Sequence, residues 1–553
     1  MHITRAKTSL LGLALAASMG IGVIVGFAMP DDDLFELRKN LRIFGSVYEK
    51  VVTGYVEPVD PGHLMRVGVD AMLGELDPYT SFIDESENAR LDIITEGQYG
   101  GVGLKVGRRG GEITVVSPVA GASGYEQGVR TGDVIIEVAE QPTTNLSLED
   151  VETLLRGEPG TTVPITVERE GTPAPLTFTL TREQVELPAV TYRGRIGPED
   201  RFGYVKLERF TRDAPGAVES ALNELQKTNP LQGVVLDLRD NPGGLLRAAV
   251  GVTELFVSQG AVVVSIRGRQ DSVENAHRSD RVPLLPDVPI VVLVNGQSAS
   301  ASEIVAGAVQ DLDRGVVMGT TSYGKGLVQN IRSLPHNTAL KLTTAQYYTP
   351  SGRTIQSLEA AARDSSAASS PGRTHKTAAG RTVRDGNGIR PDVRVPAPTP
   401  SALEKALTRR AAFFRYANHY AATHDTLAAD FSVTDADLTA FRNWLDQEGF
   451  PYPTWAERSL DSLQAQIEAN GYEGAQDETV ALARALREAK TAAFDRHASA
   501  LKQHLEREIL ARYVSATRQT AALLPVDEQV TAATDLLQNS GRYDRLLTPT
   551  GER

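Results

Sequence analysis

The stretch NGQSASASEIVAGAVQ, residues 295–310, decides the fold of the central part of this chain. An apolar run at residues 289–294 precedes it and predicts a buried strand, and apolar residues at helical spacing follow its serines. The stretch is therefore a strand-to-helix turn, where hydroxyls lie beside unpaired backbone N–H groups and the positive end of the helix dipole. Residues 300–303 also satisfy the S-x-x-E capping box, so a plain helix cap is the alternative to a nucleophilic serine.

A second stretch, GTTSYGKGLVQ at residues 319–329, offers the general base that a nucleophilic serine needs. Its Lys325 lies 25 positions after Ser300, in a glycine-flanked loop that follows a β-rich run at residues 315–318. A free lysine has a pKa near 10.4, so burial must lower that pKa by about three units, at about 4 kcal/mol, to give a usable base at neutral pH. The glycines of the loop favour such burial.

The lysine loop also matches the P-loop pattern of nucleotide-binding enzymes. Residues 319–325 have the G-x-x-x-x-G-K spacing, and residues 234–237 resemble the apolar strand ending in Asp that holds magnesium in such enzymes. Two details oppose this interpretation. Gly326 stands where a Ser or Thr should bind the metal, and residues 327–331 alternate like a strand instead of opening a helix.

Together the two stretches closely resemble those of the C-terminal processing peptidases, also called tail-specific proteases. These are serine proteases with a Ser-Lys dyad and an attached PDZ domain. The resemblance implies that Ser300 in SASASEI is the nucleophile, that Lys325 in YGKGLVQ is the general base, and that Gln329 holds the lysine in place. It also implies a multidomain α/β fold with a crotonase-like or ClpP-like core of ββα units. We expect neither a cofactor nor a metal.

The predicted protease core spans residues 186–398, and its oxyanion hole is predicted at RDNPGG, residues 239–244. Two glycines between the end of a strand and the start of a helix expose N–H groups. The resemblance implies that one of Gly243 and Gly244 donates to the oxyanion, together with the amide of Ala301. A tight turn without a ligand is the alternative.

Residues 98–185 resemble a PDZ domain. The segment GGVGL at residues 100–104 resembles the loop that binds a peptide's terminal carboxylate, and GVRTGDVI at residues 128–135 resembles a turn of the same fold. A dinucleotide-binding loop is disfavoured because strand residues follow the glycines. In some relatives a PDZ arginine senses substrate; Arg156 is our candidate, and a solvated arginine at a helix end is the alternative. The predicted peptide-binding residues are Gly101, Val102, Gly103 and Leu104.

The remaining segments are predicted from composition and pattern. Residues 31–97 are predicted to be helical, and LDPYTSF at residues 76–82 resembles the segment that precedes the PDZ domain in this family. Residues 358–383, rich in Ser, Ala, Thr and Arg, predict a disordered surface loop. Residues 399–553 predict a helical C-terminal domain, for which a homodimer contact, an adaptor surface and capping of the core all stay open.

The N-terminal segment, residues 1–30, predicts a membrane anchor or a signal peptide. Arg5 and Lys7 precede an uncharged run at residues 10–29, long enough as a helix to span about 30 Å. The positive-inside rule then places the N-terminus in the cytoplasm and the rest of the chain outside it. We favour an uncleaved anchor, because the only A-x-A, at residues 14–16, lies inside the apolar run.

The composition excludes several classes of function. A chain of 553 residues predicts several domains, and its net charge of −13 opposes nucleic acid as a partner. The absence of cysteine excludes disulfides and thiol catalysis, and no H-E-x-x-H motif for zinc occurs. Taken with the N-terminal segment, the resemblance to the tail-specific proteases implies an extracytoplasmic endopeptidase, membrane-anchored or periplasmic, that takes the C-terminal tails of proteins or lipoproteins. A nucleotide hydrolase and a PDZ binding module with an inactive core are the alternatives.

Overall fold

The computed structural model describes residues 31–85, 87, 97–269, 275–356, 372–428, 431–450 and 452–549. The described residues form two units. The smaller unit joins residues 31–83 with residues 331–334 and 338–342, and the larger unit holds the rest. The candidate anchor lies outside the described residues, and none of the helices within them has the length and apolar character to span a bilayer.

Strands and helices are numbered in chain order. The strands are β1 (Ser81–Ile83), β2 (Gln98–Gly101), β3 (Leu104–Arg109), β4 (Glu112–Pro118), β5 (Val134–Val138), β6 (Gln141–Pro142), β7 (Thr162–Glu168), β8 (Leu176–Thr181), β9 (Glu183–Glu186), β10 (Val190–Ile196), β11 (Phe202–Leu207), β12 (Gly233–Asp237), β13 (Val262–Gly268), β14 (Asn275–Arg278), β15 (Ile290–Val294), β16 (Val316–Gly319), β17 (Leu327–Ser333), β18 (Ala339–Tyr348), β19 (Thr374–Lys376), β20 (Thr382–Arg384) and β21 (Val393–Arg394). The helices are α1 (Asp31–Gly54), α2 (Pro61–Gly74), α3 (Ser123–Glu126), α4 (Leu148–Leu155), α5 (Ala214–Gln226), α6 (Leu246–Glu254), α7 (Ala301–Asp311), α8 (Ala402–Arg409), α9 (Ala412–Thr423), α10 (Asp435–Gln447), α11 (Trp455–Ala469), α12 (Gln476–Arg496), α13 (Ala498–Tyr513), α14 (Ala516–Leu523), α15 (Glu528–Gln538) and α16 (Ser540–Leu547).

The smaller unit consists mainly of α1 and α2, as the helical pattern predicted, with one strand that the pattern did not predict. Asp60 is the N-cap of α2, because its carboxylate accepts hydrogen bonds from the backbone N–H groups of Gly62 and His63 in the first turn. Strand β1 pairs antiparallel with the start of β18, Ser81 opposite Lys341. Large apolar side chains of α1 stay at least half exposed, among them Phe35, Leu41 and Phe44.

The PDZ domain is an antiparallel sheet of order β3-β4-β5-β7-β8, with β6 paired to β5. Strand β3 lies at the edge of this sheet, and the short strand β2 pairs with β9 instead. Helix α4 packs beside β3 and begins with a capping box between Ser147 and Asp150. The domain encloses its own apolar core, including Val115, Ile135 and Val163. The PDZ prediction is confirmed.

The protease core is built on a sheet of order β10-β11-β12-β15-β16-β21. From β11 to β21 the neighbouring strands run parallel, while β10 is antiparallel. Strands β12 and β15 are buried along their whole length, as their continuous apolar sequences predict for a sheet covered on both faces. Helices α5, α6 and α7 cover one face.

Two helices from the far end of the chain cover the other face of this sheet. Side chains of α15 and α16, including Val530, Leu536 and Tyr543, pack against Tyr204 and Leu293 on β11 and β15. The Tyr543 hydroxyl also donates to the carbonyl of Ile290 and accepts from its N–H, each at 2.9 Å. Residues 524–547 therefore form a layer of the protease core, whereas most of α8 to α13 forms a separate apolar cluster.

The helical domain contacts the PDZ domain through α9. Arg415 reaches Glu112 at 3.4 Å, the Asn418 amide donates to the carbonyl of Gly132 at 3.1 Å, and His419 lies 3.2 Å from Glu170. These contacts run along one helix and reach turns at one end of the PDZ sheet. They fix how the PDZ domain is held against the helical domain.

The prediction of a disordered loop over residues 358–383 is wrong for its second part. Residues 372–383 lie within the described chain and include the hairpin of β19 and β20, while residues 357–371 lie outside it. Gly380 supplies the left-handed turn residue at φ +93°. Arg381 then fastens the hairpin to the core through Asp313 and Asp392, which it contacts at 2.5 and 2.6 Å. The polar composition of residues 358–383 does not reveal these contacts between Arg381 and the core.

Candidate active site

Three neighbouring parallel strands deliver the predicted site to one edge of the sheet. Strands β12, β15 and β16 are adjacent and parallel, so their carboxyl ends meet at the same edge. The glycine turn follows β12, the serine turn follows β15, and the lysine loop follows β16. The topology therefore brings together segments that lie far apart in the sequence.

Ser300 occupies a strained turn at the start of α7. Its backbone has φ 53° and ψ −109°, a conformation that a non-glycine residue adopts only when its surroundings enforce it. Neighbouring bonds supply that enforcement: the Ala299 N–H donates to the carbonyl of Asn241 at 3.0 Å, and the Ser302 hydroxyl donates to the same carbonyl at 2.9 Å. The Ser300 side chain is nearly buried, and its conformation resembles that of nucleophilic serines at strand-to-helix turns.

Glu303 joins the serine turn to the lysine loop. Its carboxylate is fully buried and accepts four hydrogen bonds, from the N–H groups of Ser300 (2.8 Å), Gly324 (2.7 Å) and Lys325 (2.8 Å) and from the Ser322 hydroxyl (2.6 Å). Burial raises the pKa of this carboxyl, and the four donors oppose the rise. From the sequence, Glu303 is simply the acidic member of a capping box, and its bonds to the loop could not be predicted.

The lysine loop is held on both sides of Lys325. The Tyr323 N–H donates to the carbonyl of Ser298 at 3.0 Å, and the Gly326 N–H donates to the Gln356 side chain at 3.0 Å. Lys325 itself is half-buried. The Gln329 side chain donates to the carbonyl of Leu327 and to the Thr343 hydroxyl, at 3.2 and 3.4 Å. That Gln329 positions the lysine stays a prediction.

Tyr347, which the sequence did not single out, contacts Ser300 and the residue that follows Lys325. Its side chain hydrogen bonds to that of Ser300, and its backbone N–H donates to the carbonyl of Gly326, next to Lys325, at 2.9 Å. Burial raises the pKa of the Tyr347 hydroxyl to about 12, although the bond to Ser300 opposes the rise. The hydroxyl therefore stays protonated at neutral pH.

The glycine turn lies directly against Ser300. A Cβ on Gly243 would lie 2.7 Å from the Ala299 oxygen and 3.0 Å from the Ala301 nitrogen, and φ there is +102°, so only glycine fits. The Gly243 N–H donates to the Asn241 side chain at 2.8 Å. Within the described residues, the N–H groups of Gly244 and Ala301 donate no hydrogen bond. These two amides are therefore available to an oxyanion.

The PDZ loop also has a backbone donor without a partner among the described residues. Gly103 is buried, yet its N–H group donates none of the hydrogen bonds found within the part of the chain that the structure describes. Buried N–H groups are rarely left unpaired, so this arrangement fits a ligand carboxylate. Arg156 lies 3.4 Å from Glu152 and 6.0 Å from the centre of the Tyr99 ring. Those contacts place Arg156 beside this loop, and its role as a sensor stays a prediction.

The lysine loop does not have the geometry of a P-loop. Residues after Gly326 form strand β17, whereas a P-loop opens a helix at this point. Over the described ranges, no group of three or more acidic or histidine side chains is placed to hold a metal ion. The parallel sheet, the strained serine turn and the attached PDZ domain instead define the class of PDZ-containing serine peptidases.

Comparison with known proteins gives the same class. Residues 201–363 match the model of peptidase family S41, residues 114–169 match a PDZ domain, and residues 403–537 match the domain described as "Probable PDZ-protease, C-terminal helical domain". The "Carboxy-terminal-processing protease" of Bartonella bacilliformis is 37% identical over 350 residues, covering 63% of this chain and 79% of the relative.

Two further relatives carry similar names. The "C-terminal processing peptidase, chloroplastic" of Tetradesmus obliquus is 34% identical, covering 55% of this chain and 68% of the relative. A solved structure titled "Photosystem II D1 C-terminal processing protease" is 31% identical, covers 68% of this chain and 89% of that one, and has a TM-score of 0.37. The chain belongs to peptidase family S41, the carboxy-terminal-processing proteases, and is a serine-type peptidase with a PDZ domain.

Proposed function

We propose that the protein is an extracytoplasmic endopeptidase that binds the C-terminal tails of protein or lipoprotein substrates in its PDZ domain and cleaves them with a Ser300–Lys325 dyad. The observation that carries this proposal is the buried Glu303 carboxylate. It accepts hydrogen bonds from the backbone of both Ser300 and Lys325, so nucleophile and base belong to one rigid assembly. Such coupling is what a catalytic dyad needs and what a helix cap alone does not explain.

In the proposed mechanism the Ser300 oxygen attacks the substrate carbonyl while its proton passes to the neutral Lys325 amine. The N–H groups of Gly244 and Ala301 hold the oxyanion. The tetrahedral intermediate then collapses, Lys325 returns the proton to the leaving amine, and Ser300 is left as an ester. Lys325 next takes a proton from water, the hydroxide attacks the ester, and the proton returns to the Ser300 oxygen as the acid product leaves.

The PDZ domain supports recognition of a chain terminus. The N–H group of Gly103, which lacks a partner among the described residues, suits a terminal carboxylate, and edge strand β3 offers its free side for an added peptide strand next to α4. We propose that occupation of this groove also activates the dyad, because a neutral lysine is easily reprotonated when water enters the cleft. Coupling of about 1 to 3 kcal/mol would change activity about 5- to 150-fold.

A non-cleavable peptide tests this coupling. The peptide ends in a free carboxylate, binds the PDZ groove and lacks a scissile bond, and a separate short reporter measures turnover below saturation. We expect the peptide to raise turnover of the reporter, and the amidated peptide serves as the control. Unchanged turnover, with binding confirmed by calorimetry, would mean that the PDZ domain only tethers substrate.

We propose an uncleaved membrane anchor at residues 10–29, supported by the uncharged run and the lack of a suitable cleavage site after it. The full-length chain should remain in native membranes after carbonate extraction, whereas a shortened soluble form would identify a signal peptide.

The half-exposed apolar side chains of α1 support an association with a second copy or an adaptor protein. Light scattering of residues 31–553 distinguishes a dimer from a monomer that needs an adaptor.

The decisive test of the catalytic proposal uses purified residues 31–553 and an unfolded protein substrate. We expect cleavage by the wild type and covalent labelling of Ser300 by a fluorophosphonate, with neither in Ser300→Ala. A wild type that binds tails but neither cleaves nor labels would support the binding-module alternative. Calorimetry with ATP tests the nucleotide alternative, for which we expect no binding.

A further inference from the structure

Arg239 opens the glycine turn and is held by carboxylates from two distant parts of the chain. Its guanidinium contacts Asp237, two residues earlier, at 2.6 to 3.1 Å. The same guanidinium contacts the Asp527 carboxylate at 2.8 and 3.1 Å. It also donates a hydrogen bond to the side-chain oxygen of Gln529 at 2.9 Å. Asp527 is the N-cap of α15, in the layer that covers the outer face of the core sheet.

The inner half of this cluster is fully removed from water. Asp237 has no exposed side-chain surface, whereas Arg239 is 13% and Asp527 29% exposed. Burial by itself would raise the pKa of Asp237, but Arg239 and Lys206 outweigh it and hold the pKa at about 2. The Tyr204 hydroxyl donates to the same carboxylate at 2.6 Å. The Asp237 carboxylate therefore has all the hydrogen-bond donors it needs. Asp527 supplies the second negative charge beside the Arg239 guanidinium.

Hydrogen bonds also hold the backbone of Arg239 and of the two residues that follow it. Lys206 donates to the carbonyl of Arg239 at 3.1 Å, and Asp240 exchanges two hydrogen bonds with Asn295, at 2.8 and 3.0 Å. The next carbonyl, that of Asn241, accepts from the serine turn at the Ala299 N–H. The backbone of residues 239–241, which follows directly from the clamped Arg239 side chain, is thus hydrogen bonded at each position to neighbouring segments, and the last of these bonds reaches Ala299, next to Ser300.

We infer that Asp527 is a positioning residue for the oxyanion hole, through which the C-terminal helix α15 sets the geometry of the glycine turn. The inference rests on the proposed dyad mechanism and deepens it. Asp527 touches no reacting atom, so it acts only through Arg239. The outer carboxylate holds the guanidinium from the side opposite Asp237, and without it the side chain can rotate away from α15 and loosen the backbone of residues 239–244.

An effect of this kind is expected on transition-state binding and not on substrate binding. The oxyanion exists only in the tetrahedral state, and displacing its donors by a fraction of an ångström weakens that state alone. Loss of the Asp527 charge should therefore lower kcat about 10-fold and leave KM within about 2-fold. A merely structural role would instead lower the melting temperature without this selective loss.

The test compares Asp527→Asn with Glu528→Gln in residues 31–553. Asparagine keeps an oxygen that can cap α15 by accepting from Gln529 and Val530, so the helix start is preserved while the Asp527 charge and its second acceptor oxygen beside Arg239 are lost. Glu528 is the next residue and exposed, which makes it a matched control for loss of one negative charge. Measurements are kcat and KM for a short reporter, and the inhibition constants of a peptide aldehyde, which forms a tetrahedral adduct, and of the matching product acid.

We expect Asp527→Asn to lower kcat and to weaken aldehyde inhibition about 10-fold, with product inhibition and the control unchanged. Asp527→Glu should restore part of both losses. An unchanged kcat, or equal weakening of aldehyde and product, would overturn the inference. The proposed function fails separately, if wild-type Ser300 is not labelled by a fluorophosphonate.

Discussion

Two glycine turns in this molecule carry backbone amides that donate no hydrogen bond among the described residues, and the two turns are fixed in different ways. The PDZ loop at residues 100–104 is tied to its surroundings by backbone bonds, such as Gly124 N–H to Val102 at 2.9 Å. The turn at residues 239–244 is fixed by a buried guanidinium and by side chains of Asn241 and Asn295. A stable carboxylate can be bound by a loop that adjusts to it, whereas a transient oxyanion requires donors already in place.

The largest effect is expected at the dyad. Ser300→Ala and Lys325→Ala should each abolish cleavage of the reporter while leaving the melting temperature nearly unchanged. The double variant should be no worse than either single one, because nucleophile and base act as a unit. Gln329→Ala should be milder. More than a few per cent of wild-type kcat/KM in either single variant would contradict the assignment.

Paired alanine substitutions of glycine then separate the two turns. Gly243→Ala places a methyl group 3.0 Å from the Ala301 nitrogen at a positive φ, so kcat should fall about 100-fold or more. Gly103→Ala is also crowded, since its Cβ would lie 2.2 Å from that of Ala122. It should weaken binding of a carboxylate-terminated peptide and leave kcat for the short reporter unchanged.

Calorimetry for peptide binding and steady-state kinetics for the reporter check this pair. Loss of kcat in the Gly103 variant, without added peptide, would show that the two turns are not independent.

A smaller effect is expected when only the Tyr347 hydroxyl is removed. Tyr347→Phe keeps the ring in the core but loses the bond to Ser300, so the rate of fluorophosphonate labelling should fall about 10-fold. Tyr348→Phe is the matched control, because its hydroxyl bonds to Gln346 at 3.2 Å instead. Equal labelling of both variants would mean that the hydroxyl only fills space.

The smallest effect concerns stability in acid. The pKa of Asp237 is about 2 in the folded protein and takes the ordinary value of 3.8 in the unfolded chain, so its contribution is present above about pH 4 and is lost as the pH falls toward 2. This difference corresponds to about 2 kcal/mol. The free energy of unfolding should therefore fall less steeply between pH 4 and 2 in Asp237→Asn than in the wild type. Parallel curves would contradict the role of the charge cluster.

The sequence predicted those parts of the site that depend on local pattern. The apolar run before Ser300, the glycines around Lys325 and the RDNPGG turn each follow a strand, and a strand's end is visible in the sequence. Their meeting at one edge follows from parallel pairing, which the family resemblance implied but no local pattern specifies.

Contacts between distant residues were beyond prediction. Asp527 lies 288 positions after Arg239, and Glu303 bonds to a loop about 20 residues away. The hairpin at residues 374–384 was missed for the same reason, since Arg381 is held by Asp313 from another element. In each case the residue looks like an ordinary surface or capping residue until the fold supplies its partner.

The position of α15 and α16 also has a consequence for the order of synthesis. These helices cover the outer face of the core sheet, and they follow the whole helical domain in the chain. A growing chain therefore contains the serine turn and the lysine loop well before the layer that seals the sheet has been made. If that layer is needed to set the glycine turn, the nascent enzyme stays inactive until α15 and α16 have folded, and neighbouring unfolded chains are spared.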